Sequence, residues 1–136
     1  MSWYDGMDQY SMGLSHLQDL PRDVLKEMLK AEGAVIKRAQ ATTAASMLQG
    51  PYNKGAVASA VYVGTPKIRY STATCYVAYQ GYQHDNRIAE IAFINEYGKD
   101  GQPARPFIRT ANELYGDEAV EAAAEVYDNF LTKMGF

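Results

Sequence analysis

The sequence predicts an α+β fold in which a small antiparallel β-sheet is packed by a long N-terminal helix and a C-terminal helix. Apolar residues recur every three or four positions towards both ends of the chain, while the central part is rich in β-branched and aromatic residues. Glycine and proline residues separate these regions. A chain of 136 residues has room for one core. We therefore predict a single domain over residues 19–136, preceded by an arm at 1–18.

The predicted arm carries three aromatic residues that we expect at an interface, Trp3, Tyr4 and Tyr10. Aromatic side chains are enriched where proteins contact one another, so a neighbouring subunit or partner is expected to order the arm. The alternative is a loose leader with incidental aromatic residues. The first residues lack the basic start and apolar run of a secretory signal. We therefore expect synthesis in the cytoplasm.

The N-terminal helix is predicted over about 21–48. Pro21 suits a first helical position, and Asp23 lies near the positive end of the helix dipole. Gly50 and Pro51 are expected to stop the helix. Its predicted buried face comprises Val24, Leu25, Met28, Leu29, Ala31, Val35, Ile36 and Ala39.

The central region is predicted to form a long β-hairpin over about 68–97. Its strands are 68–80 and 87–97, joined by a polar loop. In the second strand, apolar residues occupy both alternating phases, which is typical of a strand covered on both faces. Residues 56–63 fit either a helical turn or a strand.

The C-terminal helix is predicted over about 117–134. A shorter helix is expected to begin at Pro106 and to be interrupted by Gly116, with Asp117 capping the final one. Arg105 and Arg109 place positive charge at a helix start, so we expect an acidic partner, either Glu96, Glu113 or a carboxylate of another subunit. The C-terminal third carries six acids: Glu113, Asp117, Glu118, Glu121, Glu125 and Asp128.

The residues disfavour an enzyme. The sequence contains no glycine-rich phosphate loop, nucleophile elbow or paired-histidine metal motif. Its single cysteine, Cys75, lies in an apolar and aromatic run, which favours a small buried side chain. The net charge of −3 with scattered basic residues disfavours direct binding of DNA. We predict no catalytic residue, cofactor, metal or membrane span.

Two nearby segments carry a resemblance to a known family. The run from Ala92 to Gly98 reads AFINEYG, and the run from Pro103 to Ala111 reads PARPFIRTA. Together they resemble the signature of the head–tail joining (tail-completion) proteins of long-tailed bacteriophages. The leader Gly13-Leu14-Ser15-His16-Leu17 is similar to the family's opening, and the resemblance covers about 13–115. Lys99 departs from it, since threonine commonly follows the glycine there.

The resemblance implies a non-enzymatic virion protein that forms a homo-oligomeric, six-fold ring at the head–tail junction. Its expected partners are the head connector or stopper and the tail tube or terminator, with DNA only passing through the lumen. A tail terminator or minor tail protein is the nearest alternative, and a small prophage-encoded binding or regulatory module is the alternative from another class. The residues expected to contact subunits or neck partners are Trp3, Tyr4, Tyr10, Glu96, Tyr97, Gly98, Pro103, Arg105, Pro106, Phe107 and Arg109.

Overall fold

A computed structural model describes residues 20–48, 55–70 and 72–135 of the chain. Within these residues, two long helices pack with three two-stranded antiparallel sheets, which confirms the predicted α+β class. In chain order the elements are α1 (Arg22–Met47), α2 (Ala56–Ala60), β1 (Val61–Val63), β2 (Lys67–Arg69), β3 (Thr72–Thr74), β4 (Val77–Tyr79), β5 (Tyr82–Gln83), β6 (Asn86–Arg87), α3 (Ile88–Tyr97) and α4 (Phe107–Lys133).

Helix α1 agrees with the prediction to within one residue at each end. Pro21 precedes the helix, and its carbonyl accepts the backbone N–H of Val24 and of Leu25. Most of the predicted apolar face is buried, although Ala31 and Ile36 are only partly so. Gly33 lies at the contact between α1 and β1. A β-carbon at this position would come within 2.8 Å of the Val63 side chain. The predicted stop at Gly50-Pro51 lies outside the described residues.

The segment 56–63, which the sequence left between helix and strand, is both. Helix α2 covers its first five residues, and β1 follows directly. β1 pairs antiparallel with β4, with Val61 opposite Tyr79 and Val63 opposite Val77. The predicted first strand, 68–80, is therefore divided: its beginning belongs to the β2–β3 hairpin, and its end pairs with β1.

The predicted second strand over 87–97 is wrong, and with it the long hairpin over 68–97. Residues Ile88–Tyr97 form helix α3, preceded by a short β5–β6 hairpin that turns at His84 and Asp85. Apolar residues on both strand phases fit a helix equally well, and alternation alone does not separate the two. The buried positions show the helical spacing: Ile88, Ala92, Asn95 and Glu96.

Helix α4 runs without a break from Phe107 to Lys133, so the predicted interruption at Gly116 and cap at Asp117 are wrong. A glycine inside a helix costs up to about 1 kcal/mol, and the long packing of α4 against α1 outweighs this cost. Ala111, Ala119 and Ala123 are fully or almost fully buried on α4. Their small side chains allow the two helices to approach closely.

Two apolar clusters form the core. One surrounds Phe107, which is completely buried; its other members are Ala44, Leu48, Val57, Ala60, Ile88 and Ala92. The second lies between the start of α1 and the end of α4, and its buried members are Val24, Leu25, Met28, Leu29 and Ala123. The first cluster supports the loop between α3 and α4. Among the described residues, no helix is both long and apolar enough to cross a lipid bilayer.

Candidate interaction site

Most of the residues that carry the family resemblance lie between Phe93 and Arg109. This stretch forms one unit, which we call the α3–α4 junction. It comprises the C-terminal part of α3, a loop over 98–106 and the first turn of α4. The predicted residues Glu96, Tyr97, Gly98, Pro103, Arg105, Pro106, Phe107 and Arg109 all lie in this unit. Trp3, Tyr4 and Tyr10 lie outside the described residues.

Glu96 connects the two helices of the junction. Its carboxylate accepts the backbone N–H of Ile108 at 2.8 Å and of Arg109 at 3.1 Å. These amides belong to the first turn of α4, whose N–H groups have no partner within the helix. The carboxylate therefore supplies both hydrogen-bond acceptors and negative charge at the positive end of the helix dipole. Glu96 was predicted as a partner of the Arg105 and Arg109 charges; it binds the backbone of this helix start instead, and the Arg105 guanidinium bonds Asn95.

Asn95 organises the loop and was missed by the sequence analysis. Its side-chain oxygen accepts a hydrogen bond from the Arg105 guanidinium at 2.7 Å, and its backbone carbonyl accepts the Arg105 N–H at 2.6 Å. Its amide nitrogen donates to the Ile91 carbonyl at 2.9 Å. Arg105 is thus half-buried and bonded within the junction. Arg109, by contrast, has an exposed side chain.

Gly98 sets the path of the chain at the end of α3. Its N–H donates to the Ile94 carbonyl at 2.7 Å, and its backbone angles are φ +79° and ψ 176°, a region that is nearly restricted to glycine. A β-carbon at this position would lie 2.8 Å from the backbone nitrogen of Ala104. The loop can therefore fold back on α3 only because residue 98 lacks a side chain.

Phe107 anchors the junction in the core. Its ring meets the ring of Tyr79 edge-on, with centroids 6.0 Å apart. The Tyr79 hydroxyl donates to the side-chain oxygen of Gln40 at 2.7 Å, and the amide nitrogen of Gln40 donates to Asn112 at 3.1 Å. Burial raises the pKa of Tyr79 well above its usual range, and the nearby Glu96 carboxylate raises it further. The hydroxyl therefore stays protonated and able to donate its hydrogen bond at neutral pH.

The outer surface of the junction carries two exposed aromatic rings. Phe93 and Tyr97 lie one helical turn apart on α3 and contact each other, with ring centroids 4.8 Å apart. Their side chains are 62% and 69% exposed. Pro103 is exposed on the same loop, and Pro106 is half-buried before α4. Tyr97 was predicted from the sequence as a contact residue, whereas Phe93 was not.

Cys75, which was predicted to be buried, is only half-buried. Its thiol donates a hydrogen bond to the Gly64 carbonyl at 3.2 Å. Burial raises the pKa of the Cys75 thiol, the Glu32 carboxylate raises it further, and Lys30 lowers it. Within the described ranges, no three His, Cys, Asp or Glu residues are grouped so that they could hold a metal ion.

Known proteins add no relative to this geometry. No family model, curated protein or solved structure matches the chain at a significant level.

The α3–α4 junction combines a hydrogen-bonded interior, made by Asn95, Glu96 and Arg105, with an aromatic exterior made by Phe93 and Tyr97. A rigid support beneath exposed aromatic side chains is typical of a protein–protein contact.

Proposed function

We propose that the chain is a structural virion protein of a tailed bacteriophage or prophage, which forms a ring at the head–tail junction. In this proposal it is made in the host cytoplasm and links the head connector or stopper to the tail tube or terminator. DNA passes through the lumen of the ring without sequence-specific contacts. A tail terminator or minor tail protein remains the nearest alternative.

The α3–α4 junction is the observation that supports this proposal most. The residues that resemble the phage family are those that tie α3 to α4: Glu96 through the first turn of α4, and Arg105 through Asn95. The same unit presents Phe93 and Tyr97 to solvent. Ordering these side chains on binding costs little, because two rings already packed on a helix lose little freedom.

The proposal is tested by the size and shape of the particles that the protein forms. Mass photometry and negative-stain imaging distinguish a ring-forming structural protein from a binding or regulatory module. Both use the purified full-length protein, alone and mixed with the products of adjacent genes. Rings, or decoration of tail ends or connectors, are expected. If the protein stays monomeric and binds neither tails nor connectors, the proposal is contradicted and the binding or regulatory module is favoured.

A further inference from the structure

A shallow groove lies between α1 and the α2–β1 segment, away from the α3–α4 junction. Its volume is about 750 Å³. Three cations of α1 line it, namely Lys30, Lys37 and Arg38. The rest of the lining is mostly small or apolar, as at Ala34 and Gly64. The groove is thus wide enough to accept side chains and is bordered by positive charge.

The positive charge of the groove is largely uncompensated. No carboxylate lies among the described residues that line it. Arg38 forms an ion pair with Glu118 at 3.6 Å, but both side chains are more than half exposed, and such pairs stabilise little. Within the described part of the chain, no ion pair engages Lys30 or Lys37. An acidic partner would therefore gain two cations without breaking an ion pair among the described residues.

The same chain carries a surface of opposite charge on α4. Its exposed acids are Glu113, Asp117, Glu118, Glu121, Glu125 and Asp128. Ala119 and Ala123, which are buried, lie on the opposite side of the helix. Apart from Arg109 and Lys133 at its two ends, α4 contains no basic residue. A chain cannot place most of this face in its own groove, because the acids point away from the helix pair.

We propose that the acidic face of α4 of one copy docks in the cationic groove of the next copy. The inference rests on the proposed ring, for which it supplies the contact between subunits. The lengths agree: Lys30 to Arg38 spans about 12 Å along α1, and Asp117 to Glu125 spans about 12 Å along α4. Leu114, which is 70% exposed within the acidic face, adds an apolar side chain. Two different surfaces form the contact, so it repeats head to tail and closes a ring when the rotation allows.

Paired charge reversals test the contact. Lys30→Glu/Lys37→Glu reverses the groove, and Glu121→Lys/Glu125→Lys reverses the helix. In sedimentation velocity over a concentration series, wild-type protein is expected to associate, and more weakly as salt rises. Each variant alone is expected to associate about a hundredfold more weakly or worse, since like charges then face each other.

An equimolar mixture of the two variants is expected to restore assembly. The native helix of the first fits the native groove of the second, and the two reversed surfaces complement each other. This rescue cannot come from misfolded chains, so it separates a docking role from a folding role. Arg69→Glu/Arg87→Glu, which changes two exposed cations outside both the groove and the α3–α4 junction by the same total charge, is the matched control and should assemble like the wild type.

Three results overturn the inference: variants that assemble normally, a mixture that shows no rescue, or a wild type that remains monomeric at low salt. A monomer whose groove binds duplex DNA would identify a different occupant and would also contradict it. Rings that form despite both reversals leave the proposed function standing and remove only this contact. If the protein associates through the groove but binds neither tails nor connectors, the contact is supported and the proposed function is contradicted.

Discussion

The carboxylate of Glu96 accepts the backbone N–H of Ile108 at 2.8 Å and thereby joins the end of α3 to the start of α4. Glu96 is buried, and the amides that it binds are those that a helix start leaves unpaired. This contact explains how a helix that begins after Pro106 without a side-chain cap of its own is stabilised. It also fixes the position of the loop that carries Arg105.

Replacing Glu96 by alanine should be strongly destabilising for a helical position. The backbone amides of Ile108 and Arg109 would lose a carboxylate acceptor, and we expect a loss of about 1.5–3 kcal/mol in the free energy of unfolding. Glu96→Gln keeps one oxygen acceptor and should lose less. Urea denaturation measures both, and Glu90→Ala, at an exposed position of the same helix, should cost less than about 1 kcal/mol. Equal losses for Glu96→Ala and Glu90→Ala would contradict the capping role.

Gly98→Ala should cost more than Gly101→Ala. Both glycines have φ +79°, but a β-carbon at Gly98 would overlap the backbone of Ala104, whereas one at Gly101 would meet no atom within 4 Å. The positive φ alone costs about 1–3 kcal/mol in each variant. Overlap with fixed backbone adds to this at Gly98. Thermal unfolding should therefore give a clearly lower Tm for Gly98→Ala, and equal values would show that the close approach carries no energy.

The two arginines of the junction should differ in role. Arg105→Ala removes a charge-assisted hydrogen bond to Asn95, so we expect a loss of about 1.5–3 kcal/mol in stability. Arg109→Ala changes an exposed side chain and should alter stability by less than about 0.5 kcal/mol. Urea denaturation of the two variants provides the comparison. A destabilised Arg109→Ala together with a stable Arg105→Ala would reverse this assignment.

Tyr79 should make the fold sensitive to alkaline pH. Its pKa is raised in the folded state, so the hydroxyl loses its proton more readily in the unfolded chain. This contribution to stability is complete below about pH 10, the pKa of an exposed tyrosine, and is lost as the pH rises above it. Thermal unfolding of Tyr79→Phe should show a flatter fall in Tm above pH 10, with about 1 kcal/mol lost at pH 7 from the missing hydrogen bond.

Tyr82→Phe is the control for this pH dependence, because Tyr82 is exposed. It should follow the wild type throughout the alkaline range. If the Tm values of Tyr79→Phe and Tyr82→Phe fall equally steeply above pH 10, the ionisation of Tyr79 does not limit alkaline stability.

Helix α1 was predictable, but the continuity of α4 through Gly116 and the middle of the chain were not. In α1, one buried face repeats over seven turns with a proline before it and polar residues opposite, so local pattern and tertiary packing agree. The run from Ile88 to Ile94 is apolar at six of its seven positions, so it fits strand alternation and helical spacing alike, and the strand predicted from it was wrong. Packing against Phe107 selects the helix.

The site was predicted as a set of residues but not as a geometry. The run from Glu96 to Arg109 stood out by its residues, and the structure brings these together around one loop. Asn95 carried no signal of its own, because an asparagine near a helix end is common in many roles. Phe93 was passed over because an apolar residue in a predicted strand is expected to be buried. Its exposure follows from the helix alone.

The most direct test of the interaction site compares wild-type protein with Phe93→Ala/Tyr97→Ala in negative-stain images of mixtures with the products of adjacent genes. Both side chains are exposed on a helix that alanine favours, so the variant should fold normally. Tyr70→Ala/Tyr82→Ala removes two exposed tyrosines elsewhere and serves as the control. If the α3–α4 junction is the interaction site, the wild type and the control form rings or decorate tail ends, and the junction variant does neither. A folded junction variant that assembles and decorates as the wild type does would contradict it.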